Sequence, residues 1–496
     1  MMQRYGWLLL WMCWAWPASA QDVLDGLEAY VEQAMAEWQA PGLAIAIVKD
    51  DAVVFAQGFG SRQAAAAQPT DAETVFLNAS TTKAFTTAAL AMLVDEEQLG
   101  WDDRVIDHLP TFRLADPYVT REMRIRDLVS HRSGLARSDY IWYASPMTRQ
   151  DVMDRLPLMD TTFGFRAGYG YNNNMFIAAG AVIEAVSGLT WDAFMEQRIL
   201  QPLGMARTST SITALPADNR VTPHGRSLDG EVYPVKWRNY DNVGPAGSLN
   251  STVTDMTQWI RLQLNEGEID GQRLISAEQI REMHAAQTTI RVSESYKRDY
   301  PETNFRAYGL GWFLNDYRGH KVVQHSGSLD GMRARVGMIP ELELGVVLFT
   351  NVNESTLLAG LMYHVFDRYI GASARDWNAH LLASRERSRA QARQVRAEQD
   401  SSRIAGTTPS RPLADFAGRY TDPVFGTAEV KQDGDALVLT IGPEFVGDLT
   451  HWHYDTFRAT WRDRYMGRDM LTFRFDSSGE VEALAIDGWA TFVRKK

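Results

Sequence analysis

Asn78-Ala79-Ser80-Thr81-Thr82-Lys83-Ala84-Phe85-Thr86-Thr87-Ala88-Ala89-Leu90 begins as a small polar turn and becomes an Ala- and Thr-rich apolar run. Its spacing predicts a helix running to about Leu93 with Ser80 at its start. Ser80 and Lys83, at i and i+3, then share one helix face roughly 5–6 Å apart. Backbone N–H groups at a helix start have no intrahelical acceptor, and the dipole there favours developing negative charge. A serine becomes a nucleophile when a proton acceptor lies beside it, and Ser-x-x-Lys is one way to supply it. A helix-capping serine followed by an exposed lysine fits the same four residues. Of the eight lysines in the chain, only Lys83 has a serine three positions before it. The choice between the two readings falls to the rest of the sequence.

The first twenty residues stand apart. A basic start ends at Arg4, Trp7 to Trp16 is nearly all apolar, and Ala18-Ser19-Ala20 is a small-residue cleavage site. A secretory signal peptide is expected over 1–20, too short to span a bilayer. The one cysteine, Cys13, lies inside it, and the bulky Met12 argues against a lipoprotein signal. Residues 21–496 hold no cysteine, which excludes disulfides and cysteine-ligated metals. A secreted protein, in a bacterial periplasm, is the expectation. The net charge is −12, which disfavours nucleic acid as a partner. No later stretch has the eighteen or so uncharged apolar residues that a transmembrane segment needs.

Asp22 is placed to cap a helix with a Leu24, Leu27, Val31, Met35 stripe, ended by Pro41-Gly42. Leu43 to Val48 and Ala52 to Phe59 read as a hairpin. Helices and loops follow to about residue 270, with helices expected from Asn174 to Val186 and after the capping pattern Thr252-Val253-Thr254-Asp255. Strand signals return at Tyr308–Leu314, Lys321–His325, Arg333–Ile339 and Leu344–Thr350, before a helix over Leu357–Tyr369. This order predicts one antiparallel sheet built from both ends of the segment with a helical insert, an α+β layout. Arg375 to Arg396 is a charge-rich helical stretch, and Ser401 to Pro412 reads as a linker. From Leu413 short alternating strands predict a separate small β-domain.

Gly-x-Ser-x-Gly, His-Glu-x-x-His and phosphate-binding glycine loops are absent. His451 and His453 would share one strand face, where ordinary strand residues are a better reading than metal ligands. Two clusters remain. Tyr171-Asn172-Asn173 precedes a helix start, where an asparagine cap also fits. His325-Ser326-Gly327-Ser328 ends a strand-like run, and its glycine permits close approach of another backbone.

Ser80-x-x-Lys83, Tyr171-x-Asn173 and His325-Ser326-Gly327, in this order, resemble the serine β-lactamase and penicillin-binding-protein superfamily. The nearest likeness is to its branch of class C-type β-lactamases, D-aminopeptidases and related esterases. Ser130-His131-Arg132-Ser133-Gly134-Leu135, Leu200-Gln201-Pro202-Leu203-Gly204-Met205, Pro245-Ala246-Gly247-Ser248-Leu249 and Tyr308-Gly309-Leu310-Gly311-Trp312 are further marks of it. The tail, with Tyr420, Phe425-Gly426 and His451-Trp452-His453-Tyr454, is similar to a lipocalin-like β-barrel. The resemblance implies a β-lactamase/transpeptidase-like antiparallel sheet flanked by helices, with a helical subdomain and then a small all-β barrel. The expected division is 1–20 signal peptide, 21–371 hydrolase domain, 372–411 charged helix and linker, and 412–496 β-domain.

The resemblance also implies roles. Ser80 attacks a carbonyl to form an acyl-enzyme, with Lys83 and Tyr171 sharing the proton transfers. Asn173, His325, Ser326, Gly327 and Ser328 bind substrate, with the N–H groups of Ser80 and Ser328 as oxyanion hole, and no cofactor or metal is implied. Bringing a lysine of pKa near 10.4 to act as a base at pH 7 requires roughly 4.6 kcal/mol, within what burial and neighbouring charge can do. A tyrosine faces a similar gap, so the base is either Lys83 or Tyr171.

His325 stands where a lysine is usual, and Ala167-Gly168 where Pro-Gly is usual. A histidine of ordinary pKa is only about a tenth charged at pH 7.5 and holds a carboxylate less firmly. Weak or no β-lactam hydrolysis is therefore expected, with D-amino-acid peptides or amides as small-molecule or peptide substrates. A carboxylesterase with the same site is the alternative. A non-catalytic sensor or scaffold is a third, disfavoured because Ser80, Lys83 and Tyr171 are all present. Arg333 and Arg335 share a strand face, and either can hold a substrate carboxylate.

Overall fold

The computed structural model describes residues 23–215, 218–372 and 375–495; the expected signal peptide and the Asp22 cap fall outside them. An unbroken apolar run such as Leu43 to Val48 makes a strand buried on both faces. In β1 (Gly42–Lys49), Leu43, Ile45 and Ile47 enter one core and Ala44, Ala46 and Val48 another. β2 (Ala52–Gly60) returns beside it. The other strands come from the far end of the segment: β3 (Thr288–Ile290), β4 (Arg306–Tyr308), β5 (Phe313–Tyr317), β6 (His320–Leu329), β7 (Met332–Ile339) and β8 (Leu344–Thr350). Their order is β2-β1-β8-β7-β6-β5-β4-β3, antiparallel throughout. Leu43 pairs with Thr350 and Lys49 with Leu344, which is the two-ended sheet expected from the sequence.

Helix α1 (Leu27–Trp38) covers the Leu43 face of the sheet through Leu27, Val31, Met35 and Trp38. On the Ala44 side lie α2 (Thr82–Asp95) and α4 (Val253–Leu264), with α3 (Asn174–Ser187) packed on α2. α2 is buried all round from Thr82 to Leu93, which its small Ala and Thr side chains permit. Lys83 is the one charged residue in that buried stretch. α5 (Ser355–Ile370) returns to the first face, and α6 (Trp377–Ser401) packs on it through Trp377 and Leu381 before its outer turns become solvent-exposed.

Beyond α6, eight strands between Gly418 and Arg494 pair in chain order and close, first on last, into a barrel. Eight strands enclose a space that side chains can fill, and Phe416, Leu439, Phe457, Phe473 and Phe492 fill it. The stretch read as a linker is tied to the barrel wall: Arg403 Nε donates to the Trp452 carbonyl at 2.9 Å, and Ser410 Oγ to Asp455 at 2.8 Å. The shared face expected for His451 and His453 is overturned. A bulge at Trp452 places His451 opposite Phe457 and His453 opposite its neighbour Thr456, so the two rings diverge.

Candidate active site

Ala79–Thr81 forms a 3-10 turn that runs directly into α2. Lys83 Nζ lies 3.2 Å from Ser80 Oγ and donates to the Ala246 carbonyl at 2.8 Å. The amine is fully buried. Burial pushes it well below the ordinary lysine range; Asp139 opposes this and Arg137 adds to it. Opposite, the Tyr171 phenol is held well above its ordinary value by burial, against a hydrogen bond with Ser80. Lys83 Nζ sits 4.9 Å from the Tyr171 ring centre. Desolvation favours the neutral form of each group, biasing the amine towards deprotonation and keeping the phenol protonated.

Tyr171 is positioned by His131, whose ring centre lies 4.2 Å away and whose Nδ1 accepts from the Asn172 N–H at 3.1 Å. Helix α3 begins just after. Asn172 does the capping, accepting from Met175 N at 3.2 Å, so Asn173 is free to reach across. Its Nδ2 donates to Asp139 Oδ1 at 2.9 Å, and Asp139 Oδ2 takes Arg137 Nε at 2.6 Å. Asn173 therefore presents its amide oxygen while its nitrogen is held.

On β6, side chains and backbone divide the work. His325 is buried, and burial, with Lys83 nearby, pushes its imidazole down to about 3. Its Nδ1 donates to the Ser326 carbonyl at 2.9 Å, which leaves Nε2 to accept from the Tyr308 hydroxyl at 2.9 Å. Both nitrogens are thus occupied by protein groups. A Cβ on Gly327 would stand 2.1 Å from the Asn78 carbonyl, so only glycine lets the strand lie against the nucleophile turn. Pairs in an antiparallel ladder alternate between exchanging both hydrogen bonds and exchanging none. Counted from the two-residue Asp330-Gly331 turn, Ser326 and Ser328 hold the second kind of position, opposite Arg335 and Arg333. Their N–H groups face away from β7, and β5 pairs with β6 only as far as Gln324. Ser328 shares a cavity of about 250 Å³ with Ser80, Asn173, Arg137 and Asp139. The Ser326 side chain lines a different one of about 110 Å³, with Arg306 and Arg335. Arg333 lines neither cavity: it is buried beside Tyr465 and donates to the Met332 carbonyl at 2.6 Å.

The structure brings together the serine, lysine, tyrosine and strand that sequence reasoning singled out, and adds Arg137, Asp139 and the Tyr308 hydroxyl as partners it did not name. Sequence reasoning also misses Tyr465, which the barrel sends to the cavity wall. The Ser130–Leu135 and Tyr308–Trp312 marks pointed to two of these regions; nothing local distinguishes Tyr465.

A relative from Aspergillus violaceofuscus (strain CBS 115571), unguisins hydrolase ungD, is 28% identical over 452 residues, 84% of this chain and 78% of the relative. The octameric penicillin-binding protein homologue from Pyrococcus abyssi superposes with a TM-score of 0.63 at 22% identity, covering 95% of this chain and 99% of that one. The D-amino acid amidase from Ochrobactrum anthropi SV3 does so at 0.59 and 20%, covering 71% and 98%. These two likenesses concern the fold. A domain of unknown function (DUF3471) matches residues 402–495. The Beta-lactamase family model matches residues 27–365, and the chain belongs to that family, as a serine hydrolase with an appended eight-stranded barrel.

Proposed function

We propose that the protein is an exported hydrolase that cleaves small amides or peptides containing D-amino acids through an acyl-enzyme on Ser80. The observation that carries this reading is the fully buried Lys83 amine, 3.2 Å from the Ser80 hydroxyl. Neutral Lys83 takes the Ser80 proton as Oγ bonds to the substrate carbonyl carbon. The oxyanion so formed is met by the N–H groups of Ser80, at a helix start, and Ser328, at the open strand edge. The C–N bond then breaks, and Tyr171 relays the proton from Lys83 to the departing amine. Water attacks the ester by the same route in reverse and regenerates Ser80. Asn173 Oδ1 accepts from the substrate amide, and His325 positions the Ser326–Ser328 edge through its bond to the Ser326 carbonyl.

Neutral His325 puts no cation at the position where a lysine is usual in the resembled superfamily, which supports weak or absent β-lactam hydrolysis. The same observation favours a second reading, a carboxylesterase, since an uncharged ester needs no such anchor. A panel of p-nitrophenyl esters against D-alanyl and L-alanyl amides separates the two. Preference for D-alanyl amides supports the first reading, and turnover of esters alone overturns it. Export is tested by the N-terminus of the mature protein. A periplasmic chain starting at Gln21 is expected, and an uncleaved cytoplasmic chain contradicts it.

A further inference from the structure

The hairpin turn Asp330-Gly331, which joins the Ser328 strand to β7, is held from outside the hydrolase core. Asp330 is buried and pairs with Arg238, itself buried. Arg238 also pairs with Asp463 and Glu444, both on barrel loops. Asp463 Oδ1 in turn accepts the Tyr465 N–H at 3.0 Å, and the Tyr465 hydroxyl accepts the Gly331 N–H at 3.0 Å. The chain of contacts is closed: hairpin turn, arginine, barrel carboxylate, barrel tyrosine, hairpin turn. Within that ring the Tyr465 ring has little freedom, and it faces the cavity that contains Ser80 and Ser328. Trp142, Tyr143, Val243 and Leu329 line the same cavity.

We propose that Tyr465 is a specificity-determining residue of the Ser80 site: the barrel supplies the wall that limits the size of the acyl group, so the substrates are those with compact acyl groups. This rests on the acyl-enzyme reading of Ser80 and extends it to the substrate. A rigid wall discriminates sharply, because one methylene gained or lost in an apolar pocket changes specificity on the order of tenfold or more. The barrel is then part of the active site, since without it the cavity would be open on that side.

The test compares kcat/KM for p-nitrophenyl esters of acetate and octanoate in the full-length protein. Tyr465→Ala is expected to raise the octanoate-to-acetate ratio on the order of tenfold or more. Tyr465→Trp lowers it, and Tyr465→Phe, which keeps the ring, preserves it. Tyr454→Ala, on the exposed turn at the opposite end of the adjoining barrel strand, leaves it unchanged. If Ala and Trp variants that still take a fluorophosphonate on Ser80 show the wild-type ratio, the assignment of Tyr465 is overturned while the acyl-enzyme reading stands. A Tyr454→Ala shift equal to that of Tyr465→Ala overturns it too. If wild-type Ser80 takes no label, the acyl-enzyme reading falls and this inference with it. Should Tyr465→Ala fail to fold, the Trp variant carries the test alone, since it fills space rather than emptying it.

Discussion

Replacing Lys83 by arginine tests whether the site needs a base or only a positive charge. An arginine stays protonated at any pH a protein survives, whereas Lys83 is buried and desolvated. An ordinary lysine would require roughly 4.6 kcal/mol to lose its proton at pH 7; burial of Lys83 lowers that requirement. Lys83→Arg should therefore remove general-base catalysis outright, a loss on the order of 10²–10⁴ in kcat/KM. Lys83→Met should lose as much while folding well, since it leaves one carbonyl, that of Ala246, without its donor, at about 1–3 kcal/mol. The assay is acylation followed as p-nitrophenol release, with a thermal melt of each variant. Wild-type kcat/KM should rise with pH through the lowered Lys83 pKa, and that limb should vanish in both variants. Lys83→Arg retaining more than about a tenth of wild-type kcat/KM would refute the assignment, since that is far less than a lost base removes.

Three further outcomes follow from the geometry. Gly327→Ala forces β6 off the Asn78 carbonyl; activity should fall about a hundredfold, as for a misplacement near 1 Å, with about 1–3 kcal/mol of stability lost by overpacking, read by kinetics and a urea melt. His325→Lys puts a second buried amine beside Lys83 and removes the donor to the Ser326 carbonyl; a lower melting temperature and no gain in cephalosporin hydrolysis are expected. His284 and His325 are both pushed down to about 3 by burial, so the unfolded chain binds protons that the folded chain does not once the pH drops below about 6.5. The stability they contribute is intact above that pH and is lost as pH falls towards 3, roughly 2–3 kcal/mol each by pH 4.5. His284→Gln should shrink the difference between urea melts at pH 7 and pH 4.5 by one such share; an unchanged difference contradicts the burial argument.

The two-ended sheet is legible in the sequence because β1 and β8 are unbroken apolar runs, and a strand buried on both faces needs no partner pattern to be recognised. Ser80 and Lys83 are legible because i,i+3 spacing is a local rule. Whether Lys83 or Tyr171 is the base is not, because it depends on burial by residues from Phe176 to Ala246 that only the fold assembles. His325 illustrates the same limit. Its chemistry is read from an ordinary pKa in the sequence, yet Tyr308 and the Ser326 carbonyl occupy both nitrogens in the structure. The face-sharing of His451 and His453 fails because a bulge leaves no mark in the residues around it. Asp139 and Tyr465 sit in single 3-10 turns, too short to show periodicity, and their placement comes from tertiary contacts such as the Asp330–Arg238–Asp463 bridge.

The most direct measurement of the central claim is the mass of the intact protein after treatment with a fluorophosphonate, followed by peptide mapping. One adduct, on Ser80, absent from Ser80→Ala and strongly slowed in Lys83→Met, is the predicted result. No adduct, or an adduct on any other serine, contradicts an acyl-enzyme at Ser80.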